Sequence, residues 1–145
     1  MTGQHQHSLR VYYEDTDAAG IVYYANYLRF LERGRTEFLR ALGHSQQQLM
    51  SEGIAFAVRS VSAEYLKPAK LDDLLIVNTG VESLGRAQVV FCQRILRDEV
   101  LLLDAKIRIA CIDPLRGRPT AMPQTIHEQL AARIQPAAPS QETCA

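Results

Sequence analysis

Features that mark several classes of protein are scarce or absent in this 145-residue sequence. The 16 basic and 16 acidic residues cancel, and Lys and Arg form no block, so a nucleic-acid partner, which would need a basic face, is not expected. No apolar run approaches the roughly 18 residues of a membrane span, and residues 1–10 lack the apolar core of a signal peptide. These absences predict a cytoplasmic protein without a membrane span.

Cysteine is equally sparse. Three cysteines occur, Cys92 and Cys111 in strand-like segments and Cys144 near the C-terminus, and none belongs to a C-x-x-C pair. An odd number of isolated cysteines favours reduced, buried thiols over disulfides or a zinc site. We expect a protein that requires neither a metal nor another cofactor.

The length suits one domain with a substantial core. Residues 1–6 and 135–145 are polar or rich in Ala and Pro, and we expect both ends to be disordered. The domain itself is predicted to span residues 7–134.

One amphipathic helix is predicted near the N-terminus, because apolar residues recur there at helical spacing. Asn26 is the candidate N-cap, and Gly43 is placed to end the helix. The apolar stripe consists of Tyr27, Phe30, Leu31, Gly34, Phe38, Ala41 and Leu42.

Strand-like segments dominate the rest of the domain. They occupy residues 9–13, 54–66, 74–84, 86–97 and 100–112, with a polar turn at 44–53 and a short helix or edge strand at 125–134. The links within 66–112 are too short for helical crossovers, so these strands must pair antiparallel. Strands this long predict one strongly curved sheet wrapped around the central helix. This α+β arrangement is the hotdog fold in outline, and its edge strands predict a homodimer or a tetramer of two dimers.

The most informative segment joins the first strand to the helix. It contains the acidic turn Glu14-Asp15-Thr16-Asp17, then Gly20, and then the start of the helix. A carboxylate can act as a base or a nucleophile, and unpaired N–H groups at a helix start can hold an oxyanion. The order of these features therefore points to an acyl-transfer enzyme.

Residues 10–24, RVYYEDTDAAGIVYY, resemble the signature of the 4-hydroxybenzoyl-CoA thioesterase family. The segments at 32–37, 64–69, 71–73 and 111–115 are similar to one branch of it, the YbgC-like acyl-CoA thioesterases associated with the Tol–Pal envelope system. The resemblance covers most of residues 9–123. It implies a hotdog enzyme that hydrolyses acyl-CoA, with an acyl carrier protein as a second partner to consider.

The resemblance also implies roles for individual residues. Asp17 matches the catalytic carboxylate, which either attacks the thioester or activates water, and both routes stay open. The backbone N–H at Tyr24 would polarise the carbonyl, although some branch members carry histidine there. Tyr13 matches a tyrosine that assists in some members, with packing as its alternative role. Asp15 is left to a turn-ordering role.

The candidate substrate-binding residues are Gly20, Val22, Lys67 and Arg86. Gly20 suits a positive φ or a close approach by substrate. Lys67 and Arg86 lie at expected strand ends, where a cation could contact the phosphates of CoA, although solvated charge is the ordinary role of such residues.

Three other functions compete with thioester hydrolysis. Asp15-Thr16-Asp17 after a strand resembles the start of haloacid-dehalogenase-type phosphohydrolases, but that fold needs alternating β and α units. A hotdog hydratase would place a histidine near the site, and none falls near Asp17. A module that binds acyl-CoA or acyl carrier protein without catalysis would have the same fold.

Overall fold

The computed structural model describes residues 4–134. Two segments, 1–6 and 135–145, were expected to be disordered. Residues 1–3 of the first and all of the second lie outside this range. The strands are β1 (His5–Arg10), β2 (Ala55–Tyr65), β3 (Leu74–Leu84), β4 (Gln88–Arg97), β5 (Val100–Asp113) and β6 (Arg118–Pro119). The α-helices are α1 (Asn26–Ala41), α2 (Gln46–Ser51) and α3 (Gln124–Ala131).

The strands form one antiparallel sheet in the order β1-β3-β4-β5-β2, and β6 pairs with the end of β5. Bulges interrupt the pairing in β2, in β3 and near the start of β5, opposite the end of β4. Bulges increase the twist and bend of long strands. Asp98 and Glu99 both have positive φ in the tight turn between β4 and β5, as a two-residue hairpin requires. The predicted hotdog fold is confirmed.

Helix α1 crosses the concave face of this sheet. The predicted apolar stripe is largely buried there, although Leu39 rather than the exposed Ala41 completes it. Gly43 follows the helix with φ +97°, in the left-handed conformation that often ends helices.

The helix approaches the sheet most closely at Gly34. A Cβ atom on this residue would lie 2.6 Å from Val77 Cγ1 and 3.1 Å from Gln93 Nε2. Because real Cβ atoms do not come within 3 Å of a neighbouring carbon, only glycine allows this spacing between helix and sheet.

A buried glutamine joins the two layers at the same place. Gln93 is fully buried, and its Nε2 donates to the Leu31 carbonyl of α1 at 3.0 Å and to Thr79 Oγ1 of β3 at 2.9 Å. Its Oε1 accepts a hydrogen bond from Arg35 Nη1 at 3.0 Å. Buried amides are stable only when their groups are paired in this way, so Gln93 specifies the height and rotation of α1.

The loop that joins β2 to β3 is held by an ion pair. Arg97 Nη1 lies 2.7 Å from Asp73 Oδ2 and also donates to the Pro68 carbonyl at 3.1 Å. The same Asp73 oxygen accepts from the Lys70 N–H at 2.8 Å. Partial burial acts to raise the pKa of Asp73, but these hydrogen bonds and the Arg97 charge together lower it below its ordinary value of 3.8.

Several predicted boundaries are wrong. The first strand covers residues 5–10 instead of 9–13, so His5 and Gln6 pair with β3 and are not part of a disordered start. This strand is an exposed edge of the sheet and its residues are mostly polar. No alternation of apolar residues therefore indicates that it pairs with β3. Tyr13 instead opens a 3-10 helix, Tyr13–Asp15.

Other differences lie at the helices. Asn26 does not cap α1; it is the first helical residue, and its Nδ2 donates to the Asp15 carbonyl at 2.8 Å. The expected polar turn at 44–53 contains α2, which Ser45 caps by accepting from the Gln48 N–H. Of the two alternatives predicted for the C-terminal segment, the short helix is confirmed. No helix within residues 4–134 is long and apolar enough to cross a membrane.

Gly34→Ala tests the contact between α1 and the sheet. In an exposed helix this change would stabilise by about 1 kcal/mol, but the clash with Val77 should destabilise the protein by about 1–3 kcal/mol. The measurement is the free energy of unfolding in urea, with Arg33→Ala on the exposed face of α1 as a control within about 0.5 kcal/mol of the parent. A Gly34→Ala protein as stable as the parent would contradict the packing.

Asp73→Asn tests the ion pair. Because the folded state lowers the pKa of Asp73, its contribution to stability is present above the ordinary value of 3.8 and is lost as the pH falls through the lowered pKa. The variant should be less stable by about 1–2 kcal/mol near neutral pH, and the difference should shrink below about pH 4. Urea unfolding across pH measures both effects, and a pH-independent difference would argue against the ion pair.

Candidate active site

The acidic loop between β1 and α1 uses its two aspartates differently. Asp15 is buried, and its Oδ2 accepts the Tyr12 N–H at 2.8 Å. Its carbonyl accepts from the Tyr23 N–H at 3.1 Å and from the Asn26 side chain. Asp15 therefore holds both ends of the loop together, as its predicted turn-ordering role requires.

Asp17 is exposed at the tip of the loop. Its Oδ1 accepts the Ala19 N–H at 2.9 Å, and its carbonyl accepts the Gly20 N–H at 3.0 Å in a tight turn. Within residues 4–134, Oδ2 has no partner. One carboxylate oxygen is thus oriented by the backbone while the other is open to solvent, which suits a base or a nucleophile.

Gly20 and Val22 build this turn. Gly20 has φ +81°, and a Cβ there would meet nothing within 4 Å, so conformation rather than crowding explains the glycine. Val22 is only 4% exposed and donates its N–H to the Ala69 carbonyl at 2.9 Å. Its side chain belongs to the core and is not open to a substrate, contrary to the substrate-binding role that the sequence suggested.

The loop rests on the segment that Arg97 and Asp73 hold. Ile21 pairs with Lys70, and the Leu71 N–H donates to the Gly20 carbonyl at 3.3 Å. The ion pair, the loop between β2 and β3, and the Asp17 turn therefore form one continuous chain of contacts.

Tyr24 lies two residues before the first residue of α1, where Ala25 is the N-cap. The N–H groups of Tyr24 and Ala25 have no acceptor in the part of the chain that the structure describes. Orphan N–H groups at a helix start carry partial positive charge, to which the helix dipole adds. They can bind a carbonyl oxygen that becomes negative during a reaction.

An aromatic cluster lies beside these N–H groups. The ring of Tyr65, near the end of β2, is 6.3 Å from that of Tyr24 and 5.4 Å from that of Tyr27, centroid to centroid. Tyr65 Oη donates to the Tyr24 carbonyl at 3.4 Å, and Tyr27 Oη accepts the Ala69 N–H at 2.9 Å. Burial is the main cause that raises the pKa of both phenols, so both stay protonated at neutral pH.

Sequence reasoning did not single out Tyr65 as a site residue. It lies within the 64–69 segment that resembled the family branch, and an aromatic residue at the end of an edge strand was the available signal. What placed it beside Tyr24 was the pairing of β2 with β5, which only the sheet reveals.

The remaining candidates separate into two groups. Tyr13 is 83% exposed on the same loop as Asp17, and Lys67 is exposed two residues after the end of β2, at the end of the sheet that carries Tyr65. Arg86 lies instead beyond the far end of β3. Eleven-residue β3 spans about 33 Å, so one chain does not bring Arg86 to Asp17.

No group of three or more His, Cys, Asp or Glu residues that could hold a metal ion occurs among the described residues. Cys92 and Cys111 are buried. Burial raises the pKa of the Cys111 thiol to about 11, which makes it a poor nucleophile at neutral pH.

Comparisons with known proteins agree with this fold. A model of the thioesterase-like superfamily matches residues 11–130. The chain is 50% identical over 119 residues to the acyl-CoA thioester hydrolase YbgC of Escherichia coli O6:H1, covering 81% of this chain and 89% of that protein. It is 46% identical to the acyl-CoA thioesterase YbgC of Haemophilus influenzae, over 81% and 88% of the two chains.

A solved structure gives the same result. The 1,4-dihydroxy-2-naphthoyl-CoA thioesterase Slr0204 from Synechocystis superposes with a TM-score of 0.82 at 25% identity, covering 89% of this chain and 96% of that one. The chain therefore belongs to the thioesterase-like superfamily, in its YbgC-like branch, and is a thioester hydrolase.

Proposed function

We propose that this protein hydrolyses acyl-CoA to a carboxylic acid and free CoA, with Asp17 as the reacting carboxylate. The observation that carries the proposal is the placement of Asp17. Its Oδ1 is fixed by the Ala19 N–H, its Oδ2 is open, and its loop leads directly to the orphan N–H groups at the start of α1.

Two routes use the same atoms. In the first, Asp17 Oδ2 takes a proton from water as the water oxygen attacks the thioester carbonyl. In the second, Oδ2 attacks the carbonyl and expels the CoA thiolate, and water then cleaves the mixed anhydride. Both routes consume one water, break the C–S bond and release a carboxylic acid and the CoA thiol.

The start of α1 would supply the oxyanion contact. In either route the thioester oxygen becomes negative in the transition state, when the N–H groups of Tyr24 and Ala25 would bind it most strongly. The Tyr65 hydroxyl would keep the peptide between Tyr24 and Ala25 in position through its contact with the Tyr24 carbonyl. Lys67, which is exposed at the same end of the sheet, would contact the phosphates of CoA.

A second copy of the chain would complete the site. Strand β2 is a sheet edge, and its concave side exposes Val58 and Val61, with Leu28 of α1 exposed nearby. An unpaired edge with exposed apolar side chains is a surface that proteins normally cover. We propose that two β2 strands pair about a twofold axis, so that a partner lies beside Tyr24. A tetramer would combine two such dimers.

Two of the three competing functions do not fit the site or the fold, and the third is retained. None of the four histidines falls on the acidic loop or the first turns of α1, so a hydratase would have no imidazole there. The antiparallel sheet excludes the alternating units of a haloacid-dehalogenase phosphohydrolase. A module that only binds acyl-CoA, or thioesters of acyl carrier protein, is the second candidate, because Asp17 also forms an ordinary aspartate turn.

Asp17→Asn distinguishes hydrolysis from binding. The amide can neither accept the proton nor attack, so kcat for acyl-CoA hydrolysis should fall by about 10²–10⁴-fold. CoA release is measured with EDTA present, across short, long and aromatic acyl-CoAs and an acyl carrier protein thioester. Glu14→Gln, an exposed carboxylate on the same loop, is the matched control and should retain full activity. Full activity of Asp17→Asn would rule out this mechanism.

Val61→Asp tests the dimer. The parent should have the mass of two or four 16.3 kDa chains by light scattering, and a charge in the apolar interface should release single chains. Activity should fall in parallel, because the site is completed by the partner. Leu115→Asp, at a position that is 95% exposed on a loop outside β2, should leave mass and activity unchanged. A monomeric parent with full activity would refute the shared site.

A further inference from the structure

Asn26 connects the start of α1 to the acidic loop. Its Nδ2 donates to the Asp15 carbonyl at 2.8 Å, and this hydrogen bond is partly buried. The same carbonyl accepts the Tyr23 N–H at 3.1 Å. One oxygen of the acidic loop therefore receives donors from two residues, Tyr23 and Asn26, that lie on either side of the orphan N–H groups.

Tyr23 and Asn26 are the two ends of a tight turn. The Asn26 N–H donates to the Tyr23 carbonyl at 2.8 Å, which is the hydrogen bond between the first and fourth residues of a β-turn. Tyr24 and Ala25 occupy the two central positions, and their N–H groups have no acceptor in the described part of the chain. The Asp15 carbonyl thus holds both ends of the turn that presents these two N–H groups.

Asp17 is tied to the same residue through the backbone. It follows Asp15 by two positions, and its N–H donates to the Ile21 carbonyl at 2.9 Å. Thr16, the residue between the two aspartates, pairs with Val22. Because both residues of this short connection are paired, Asp15 is a common support for the reacting carboxylate and for the turn with the orphan N–H groups.

The Asn26 amide is the side-chain part of this support. Tyr65 also contacts the turn, but its exposed hydroxyl lies 3.4 Å from the Tyr24 carbonyl, whereas the Asn26 bond is shorter and partly buried. Without the amide, the described hydrogen bonds between the turn and Asp15 would be reduced to that of the Tyr23 N–H, and the turn could rotate about it. An oxyanion contact needs donors about 2.7–3.1 Å from the oxygen, so a small rotation would weaken it.

We propose that Asn26 is a positioning residue for thioester hydrolysis, whose amide fixes the two orphan N–H groups at the start of α1 relative to the Asp17 carboxylate. In this role the side chain contacts the acidic loop and not the substrate. Because the oxyanion forms only in the transition state, the amide should contribute to kcat and hardly to KM. This inference rests on the proposed function, because the reaction defines the two groups whose separation matters.

Asn26→Ala tests the positioning role, since alanine removes the amide and is compatible with a helix. For this variant, kcat for acyl-CoA hydrolysis should fall about 10–100-fold, a part of the effect of removing an oxyanion donor. KM should stay within about threefold of the parent, because the ground state does not use the contact.

Gln124→Ala is the matched control. Gln124 is the first residue of α3, and its Nε2 donates to Glu128 Oε2 at 2.9 Å, so the change also removes an amide donor from a helix start. Helix α3 begins two residues after Met122, whose N–H donates to the Arg86 carbonyl at 3.0 Å, at the end of β3 away from Asp17. The control should therefore keep the kcat and KM of the parent.

Asn26→Gln keeps a donor amide on a stem that is one methylene longer. If the longer side chain bends to reach the same carbonyl, kcat should recover to within about fivefold of the parent. Thermal unfolding establishes that both variants fold, and calorimetric titration with CoA, which has no acyl carbonyl, should give one affinity for all three proteins. An unchanged kcat in Asn26→Ala, equal losses of kcat in both variants, or a loss confined to KM and CoA affinity would overturn the inference while leaving hydrolysis in place.

Failure of the proposed function gives a different result. If the parent cleaves no thioester, calorimetric titration with acetyl-CoA and S-ethyl-CoA, which differ only at the acyl carbonyl, tests the turn by binding. The parent should then bind acetyl-CoA more tightly, and Asn26→Ala should lose that preference. Equal affinity of the parent for both ligands, or a preference that Asn26→Ala retains, would overturn the role of Asn26.

Discussion

The close contact between α1 and the sheet at Gly34 is the constraint on which the other features depend. The helix can lie this near to β3 only because residue 34 has no side chain, and Gln93 then bonds to both layers. Together they set the height of α1 above the concave face. That height determines where the helix begins, and so where its orphan N–H groups point.

A chain of successive contacts leads from the sheet to the proposed reaction centre. The Arg97–Asp73 ion pair holds the loop after β2, that loop pairs with Ile21 and Gly20, and their turn presents Asp17. Asp15 and Asp17 are two residues apart, and their different burial gives them different roles. Asp15 is buried and its Oδ2 accepts a backbone N–H, whereas Asp17 is exposed and its Oδ2 is open to solvent. A carboxylate can react only where the surrounding structure leaves part of it unsatisfied.

Much of the architecture could be predicted from local patterns. The helical stripe from Tyr27 to Phe38, the long strands from residue 54 to residue 113 and their short links were sufficient for the hotdog fold. The family resemblance indicated the acidic loop between β1 and α1 as the candidate site. The sequence alone showed that Asp17 comes shortly before the start of the helix. The errors have physical causes. His5 and Gln6 pair on an exposed edge that needs no apolar pattern, Asn26 uses its amide for a distant carbonyl, and Ser45 caps a helix with only one buried residue.

The amino-acid sequence by itself determined the fold class, the family and the identity of the acidic turn, because these depend on periodicity and on residues adjacent in the chain. The tertiary structure alone decided which distant residues share the site. It brought Tyr65 to Tyr24, enclosed the side chain of Val22 and left Arg86 at the opposite end of β3. Such relations depend on strand register and on the distance between layers, which arise from contacts between residues far apart in sequence.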